Sequence, residues 1–129
     1  MKKNGILNPQ INRIISEMGH GDMLIIADAG LPIPKEVERI DLALKCGSPS
    51  FAEVLTAVLS EFKVEESYVA KEIKENNPPV LNLISSLIKE VQFITHTKLK
   101  DLSKKSRAII RTGECSSYSN IILISGVIF

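Results

Sequence analysis

Tryptophan is absent from this chain, and 4 phenylalanines with 2 tyrosines bring its aromatic content to only 5%. Stacking on bases or sugar rings therefore has little to draw on. A surplus of charge is missing too. Sixteen basic and 15 acidic side chains leave a formal net charge of +1, which removes any electrostatic case for nucleic acid or an anionic membrane surface. No apolar stretch approaches the roughly 18 residues a membrane span needs; the longest, Ile121 to Phe129, is broken by Ser125 and Gly126. Cys46 and Cys115 form no CxxC pair, and 2 histidines without paired cysteines argue against a structural zinc site. Neither the GxSxG nor the GxxxxGK-Ser/Thr motif occurs. Met1–Gly5 lacks the apolar core of a signal peptide. The expectation is a soluble, reduced, cytoplasmic protein whose 129 residues form one domain.

What is present concentrates between Gly19 and Pro34, a stretch reading Gly-His-Gly-Asp-Met-Leu-Ile-Ile-Ala-Asp-Ala-Gly-Leu-Pro-Ile-Pro. An apolar run, Met23 to Ala27, bounded by glycine and proline predicts a buried strand. It ends on Asp28 and enters an irregular loop, where α/β proteins often place their sites. Before it, Leu7 to Met18 predicts a helix capped by Asn8, with Pro9 in its first turn, an apolar stripe of Ile11, Ile14, Ile15 and Met18, and Gly19 as a left-handed C-terminal cap.

After it, Ile40, Leu42 and Leu44 alternate as a second strand. Ser48-Pro49 starts a helix with Phe51, Val54, Leu55, Val58, Leu59 and Phe62 on one face. Val64 to Ala70 predicts a strand whose alternation Glu65, Glu66 and Ser67 interrupt, and Asn77-Pro78 opens a helix through Ile84, Leu87, Ile88 and Val91. Val91 to Thr95 reads as a strand with His96 just beyond it, and Lys98 to Ser106 as an exposed helix. Ala108–Ile110 and Ile121–Ile124 are strand cores around a polar turn. The sum is an α/β fold: a layered single domain with a mixed, mostly parallel central sheet flanked by helices.

His20, between two glycines, is the leading acid–base candidate, since a histidine pKa near 6.5 suits proton transfer at neutral pH. The competing reading is a turn histidine with no chemistry. Asp28 is an orienting or substrate-binding carboxylate, or an ordinary turn aspartate. His96 lies at a predicted strand end, and Tyr118-Ser119-Asn120 offers a phenol, a hydroxyl and an amide that suit hydroxyl binding, or else forms a plain polar turn. Cys115 reads as a small buried cysteine. Strand rise places His20 and Asp28 roughly 15–25 Å apart. One subunit therefore does not bring them together unless the chain bends back, whereas a symmetric assembly brings His20 of one copy to Asp28 of the next.

Gly-His-Gly-Asp at 19–22, Asp-Ala-Gly-Leu-Pro-Ile-Pro at 28–34, Arg-Ile-Asp-Leu-Ala-Leu at 39–44, Gly-x-Pro-Ser-Phe at 47–51 and Ile-x-x-Gly-Glu at 110–114, followed by Tyr118 to Leu123, resemble the ribose pyranase/fucose mutarotase family. The resemblance implies an isomerase, without cofactor or metal, that interconverts cyclic forms of a free monosaccharide. In the ribose-acting branch it converts six-membered D-ribose to the five-membered form that a downstream kinase uses. It implies His20 as proton donor, and Asp28, His96, Tyr118, Ser119 and Asn120 as substrate-binding positions. It also implies ring-shaped homo-oligomers, typically decamers, with sites at subunit boundaries. Ser117 stands where relatives commonly carry proline before the tyrosine, and Thr97 where they often carry an acid. Three other readings remain open at this point: an anomer-exchanging mutarotase for a sugar such as fucose, a non-catalytic sugar-binding subunit of an uptake system, and a structural oligomer-forming protein with no ligand.

Overall fold

In a computed structural model that describes residues 1–129, the apolar run Met23–Ala27 forms the strand β1 and becomes part of a six-stranded sheet. Helix α1 (Pro9–Glu17) precedes it. Then come β2 (Glu38–Asp41), α2 (Phe51–Leu59), β3 (Val64–Ala70), the single turn α3 (Ile73–Asn76), α4 (Pro78–Leu87), β4 (Gln92–Ile94), α5 (His96–Ser103), β5 (Ala108–Arg111) and β6 (Ile121–Ser125). The sheet order is β2-β5-β1-β6-β3-β4. The β2–β5, β5–β1 and β3–β4 pairs are parallel; β6 alone runs against its neighbours, between β1 and β3. The expected mixed, mostly parallel sheet is therefore the one observed.

Both faces of β1 are covered, which is why its sequence reads as an unbroken apolar run. Leu24 and Ile26 join Ile11, Ile14, Val54, Leu55, Val58 and Ile84 beneath α1, α2 and α4. Ile25 and Ala27 face Leu31, Val37 and Leu99, from the loop after β1 and from α5.

Local chemistry sets most helix starts. Asn8 accepts a hydrogen bond from the Ile11 backbone N–H at 3.0 Å, and Pro9 opens α1 as expected. The C-terminal cap differs. Met18 is already extended and ends the helix, so Gly19 needs no left-handed conformation; Gly21 takes it instead, at φ 82°. The second helix is capped by Ser50, which accepts from Glu53 at 3.1 Å; the cis Ser48–Pro49 peptide lies just before that cap. The second strand stops at Asp41, because its only partner, β5, ends at Arg111 opposite it, and Leu44 is left 80% exposed. Helix α4 ends at Leu87, since Ile88 turns extended and Val91 then leads into β4. Helix α5 begins at His96 rather than Lys98, capped by Thr95, and ends at Ser103. Cys115 is exposed, not buried, because it sits in the open loop between β5 and β6.

Gly113 is the tightest point of that loop. Its N–H donates to the Pro49 carbonyl at 2.8 Å and its own carbonyl accepts from Gly47 at 2.6 Å. A Cβ here would lie 2.6 Å from the Lys45 carbonyl oxygen and closer still to that of Ser48, both backbone atoms with little freedom to retreat. Gly113→Ala is expected to cost about 1–3 kcal/mol of stability, read as a lower denaturant midpoint.

Candidate active site

The parallel strands end on one edge of the sheet, and β6 begins there, so that edge collects the residues following β1, β4 and β5 and preceding β6. Asp28 and Asn120, 92 positions apart, clasp each other. The Asp28 backbone N–H donates to Asn120 Oδ1 at 2.9 Å, and Asn120 Nδ2 donates to Asp28 Oδ2 at 2.9 Å. Asp28 Oδ1 also accepts from the Gly30 N–H at 2.9 Å, so the carboxylate is held by two donors, one on each oxygen, in the turn it also shapes. The base of the turn is fixed by Thr112, whose hydroxyl donates to the Ala27 carbonyl at 2.8 Å, and by Arg111, whose Nε donates to the Ala29 carbonyl at 3.0 Å. A cavity of about 400 Å³ opens here between Asp28–Gly30 and Glu114–Ser117.

Further along the same edge, His96 packs edge-on against Tyr118, ring centroids 5.1 Å apart at 88°. The His96 backbone N–H donates to both oxygens of Glu72, at 3.2 and 3.0 Å. Burial pushes the Glu72 carboxyl up, but bonds from its own N–H and that of His96, with His96 and Lys71 nearby, outweigh it and hold it below the usual glutamate range. His96 Nδ1 is the one buried side-chain nitrogen or oxygen without a hydrogen-bond partner. An unmade bond of this kind costs free energy, which singles out His96 among the polar groups of this edge.

Tyr118 holds a left-handed backbone, φ 58°, unusual for a bulky residue. The strain is held by Asn77. Its Oδ1 accepts from Val80 at 3.4 Å to start α4, while its Nδ2 is shared among the Ser117 carbonyl at 2.8 Å, Ser116 Oγ at 3.0 Å and Ser119 Oγ at 3.1 Å. With Ser117 where a proline would stiffen the loop, this side chain does the fixing. Ser119 is buried as a whole residue and its hydroxyl is occupied by Asn77 and Ser116, so within one copy it braces the turn and presents no surface to a ligand. Glu114 braces the other side, accepting from the Phe51 N–H at 3.2 Å and from the Ser116 hydroxyl at 2.8 Å.

Burial pushes the Glu114 carboxyl up, but the bonds from the Ser116 hydroxyl and from the Phe51, Ser116 and Cys115 backbone outweigh it and leave it lowered. A lowered carboxylate stabilises fully above the unfolded pKa, and that contribution is lost as pH falls through the folded value. Glu114→Gln should therefore cost about 1–2 kcal/mol at neutral pH, and the gap from the unsubstituted chain should close below about pH 4, as followed by denaturant unfolding across pH.

His20 lies on the opposite edge. It is the second residue of a turn closed by the Asp22 N–H to the Gly19 carbonyl at 3.1 Å, with the left-handed Gly21 in third place, where such a turn demands glycine. Asp22 Oδ2 accepts from the Gly19 N–H at 2.9 Å and from Arg107 at 3.0 Å, and Gly21 donates to Ser125, the last residue of β6, at 2.8 Å. The exposed imidazole meets Glu65, Nε2 to Oε2 2.6 Å, beside a cavity of about 560 Å³ lined by Met18, Phe62, Lys63 and the C-terminal residues. Thus the structure gathers Asp28, His96, Tyr118 and Asn120 at one edge and sets His20 at the other, as the strand length required. Glu65, Glu72 and Asn77 were not singled out as site residues; for Glu65 the signal was the broken alternation of β3.

A family model described as the RbsD / FucU transport protein family matches residues 1–128. The D-ribose pyranase of Laribacter hongkongensis is 51% identical over 131 residues, covering 100% of both chains. That of Lactobacillus acidophilus is 52% identical over 131 residues, again covering 100% of both. Among solved structures, Bacillus subtilis RbsD complexed with D-ribose superposes with a TM-score of 0.97 at 42% identity over 100% of both chains. FucU from Bifidobacterium longum superposes at 0.83 with 25% identity, covering 95% of this chain and 96% of that one.

Proposed function

The chain belongs to the RbsD / FucU transport protein family, and from that premise we propose that it is an isomerase interconverting the six-membered and five-membered ring forms of free D-ribose. The observation that carries this is the end-to-end likeness to D-ribose pyranases at about half identity, on a fold that superposes on a ribose-bound relative.

The chemistry asks for two proton transfers. To open the pyranose, an acid delivers a proton to the ring oxygen, the bond from that oxygen to the anomeric carbon breaks with its electron pair going to oxygen, and a base takes the proton of the anomeric hydroxyl. The open aldehyde recloses when the hydroxyl one carbon nearer attacks the carbonyl carbon; the first group recovers its proton and the second returns its own to the carbonyl oxygen. One positioned acid–base group supplies about 10²–10⁴-fold, enough for a reaction that water already permits.

In our reading His20 is the first group. Asp28 and His96 hold hydroxyls or carry the second proton, and Tyr118 and Asn120 fix the ring, with the buried Ser119 bracing their turn from behind. Because His20 and Asp28 sit at opposite edges of the sheet, the site is completed by a second copy of the chain in a ring-shaped assembly, a homodecamer by the family resemblance. Free sugar and the cytoplasm are the corresponding substrate pool and compartment.

Saturation-transfer NMR on equilibrated D-ribose tests the activity, with L-fucose as control. Faster pyranose–furanose exchange is the expected result. Line broadening without faster exchange on either sugar would instead identify a sugar-binding subunit.

A further inference from the structure

The Glu65 carboxylate reaches His20 because β3 carries one residue more than β6 requires. Val64 pairs with Ser125 and Glu66 with Ile124, so Glu65 has no partner in the ladder. Such bulges bend a strand and re-aim a side chain. Gly126 lies against the bulge: a Cβ there would stand 3.1 Å from the Glu65 Cβ, so its lack of a side chain leaves room for the carboxylate's stem. The carboxylate then meets His20 Nε2 at 2.6 Å.

We propose that Glu65 is the positioning residue of His20, fixing the proton on Nε2 so that Nδ1 is the atom that exchanges protons with the sugar. A carboxylate at this distance accepts, so Nε2 carries the hydrogen; in the neutral ring Nδ1 then holds the lone pair, and in the acid form it holds the transferable proton. The turn supports this division of labour, since His20 occupies its second position, exposed, while Gly19 is tied to Asp22, Asp22 to Arg107 and Ser125, and Gly21 to Ser125. Of the other charges near the ring, Asp22 is paired with Arg107 and Glu61 with Lys2, while Lys63 lines the neighbouring cavity together with Phe129. The inference rests on His20 being the acid of the proposed isomerisation.

The test uses the full chain with Glu65→Ala and Glu65→Gln, and His20→Ala to assign signals. With only 2 histidines, long-range ¹⁵N–¹H spectra of the rings resolve each one. At alkaline pH the unsubstituted chain is expected to show His20 protonated on Nε2. Glu65→Ala should move it toward a mixture with Nδ1–H and lower kcat for D-ribose exchange about 10- to 100-fold with little change in KM. Glu65→Gln, which keeps an acceptor, should restore the Nε2–H form and part of the rate. Unchanged kcat in Glu65→Ala, or a reduced kcat with the His20 tautomer unaltered, would overturn the proposal. If the unsubstituted chain itself failed to accelerate exchange, the isomerase reading would fall instead, and the ring spectra would still decide whether Glu65 sets the tautomer.

Discussion

Replacing His20 by alanine is expected to slow D-ribose ring-form exchange about 10²–10⁴-fold while the fold stays intact. The imidazole is exposed and lies outside both apolar clusters; its one side-chain bond is to Glu65, which is itself half exposed. Exposed ion pairs contribute little to stability, so the thermal midpoint should barely move. The turn does not depend on the ring either, because its backbone is closed through Gly19, Gly21, Asp22 and Ser125. A large kinetic effect with a small thermal one is the pattern of a group that meets substrate. The measurement is exchange NMR with circular dichroism on the same samples. Undiminished exchange would remove His20 from the acid role.

The second large effect is a recovery. His20→Ala and Asp28→Ala, each inactive alone, are expected to regain activity when unfolded and refolded together. With Asp28 and His20 on opposite edges of one sheet, every site of the proposed assembly combines His20 from one copy with Asp28 from the next. In an equal mixture, random pairing gives about one quarter of the sites both intact groups, so about one quarter of the unsubstituted activity should return. Activity near zero in the mixture, with mixed oligomers present, would mean that both groups serve the same chain or that one has no role. Asp28→Ala also breaks the clasp with Asn120, so Asp28→Asn, which keeps one carbonyl oxygen to accept from Asn120 Nδ2, is a useful second partner.

Much of this was open to reading before any coordinates. The unbroken run Met23–Ala27 announces a strand buried on both faces, and the proline and asparagine signals announce α1 and α4. The separation of His20 from Asp28 follows from strand rise alone. What could not be read depends on partners remote in sequence. The end of β2 is set by β5, about 70 residues away, as the Asp41–Arg111 bond shows. The bulge at Glu65 exists only relative to the register of β6. The Asp28–Asn120 clasp joins two turns that carry no mark of each other, and Asn77 announces its cap but not the loop it holds. Cys115 went astray because a small apolar-looking residue says nothing about a loop whose direction is set by Gly113 and Glu114.

The single reversed strand β6 touches both proposed half-sites at once. Its leading end presents Asn120 to Asp28, and its trailing Ser125 anchors the glycine beside His20. It is fully enclosed between β1 and β3, so it cannot stretch, and its five residues act as a gauge block. A one-residue insertion would displace one half-site by about 3.3 Å and invert the faces of every side chain beyond it. The spacing between the two groups is therefore a property of the sheet, while in the proposed assembly their meeting is a property of how copies stack, and the two can change independently: on that proposal, a relative with the same sheet and an altered stacking surface would keep every site residue and lose the site.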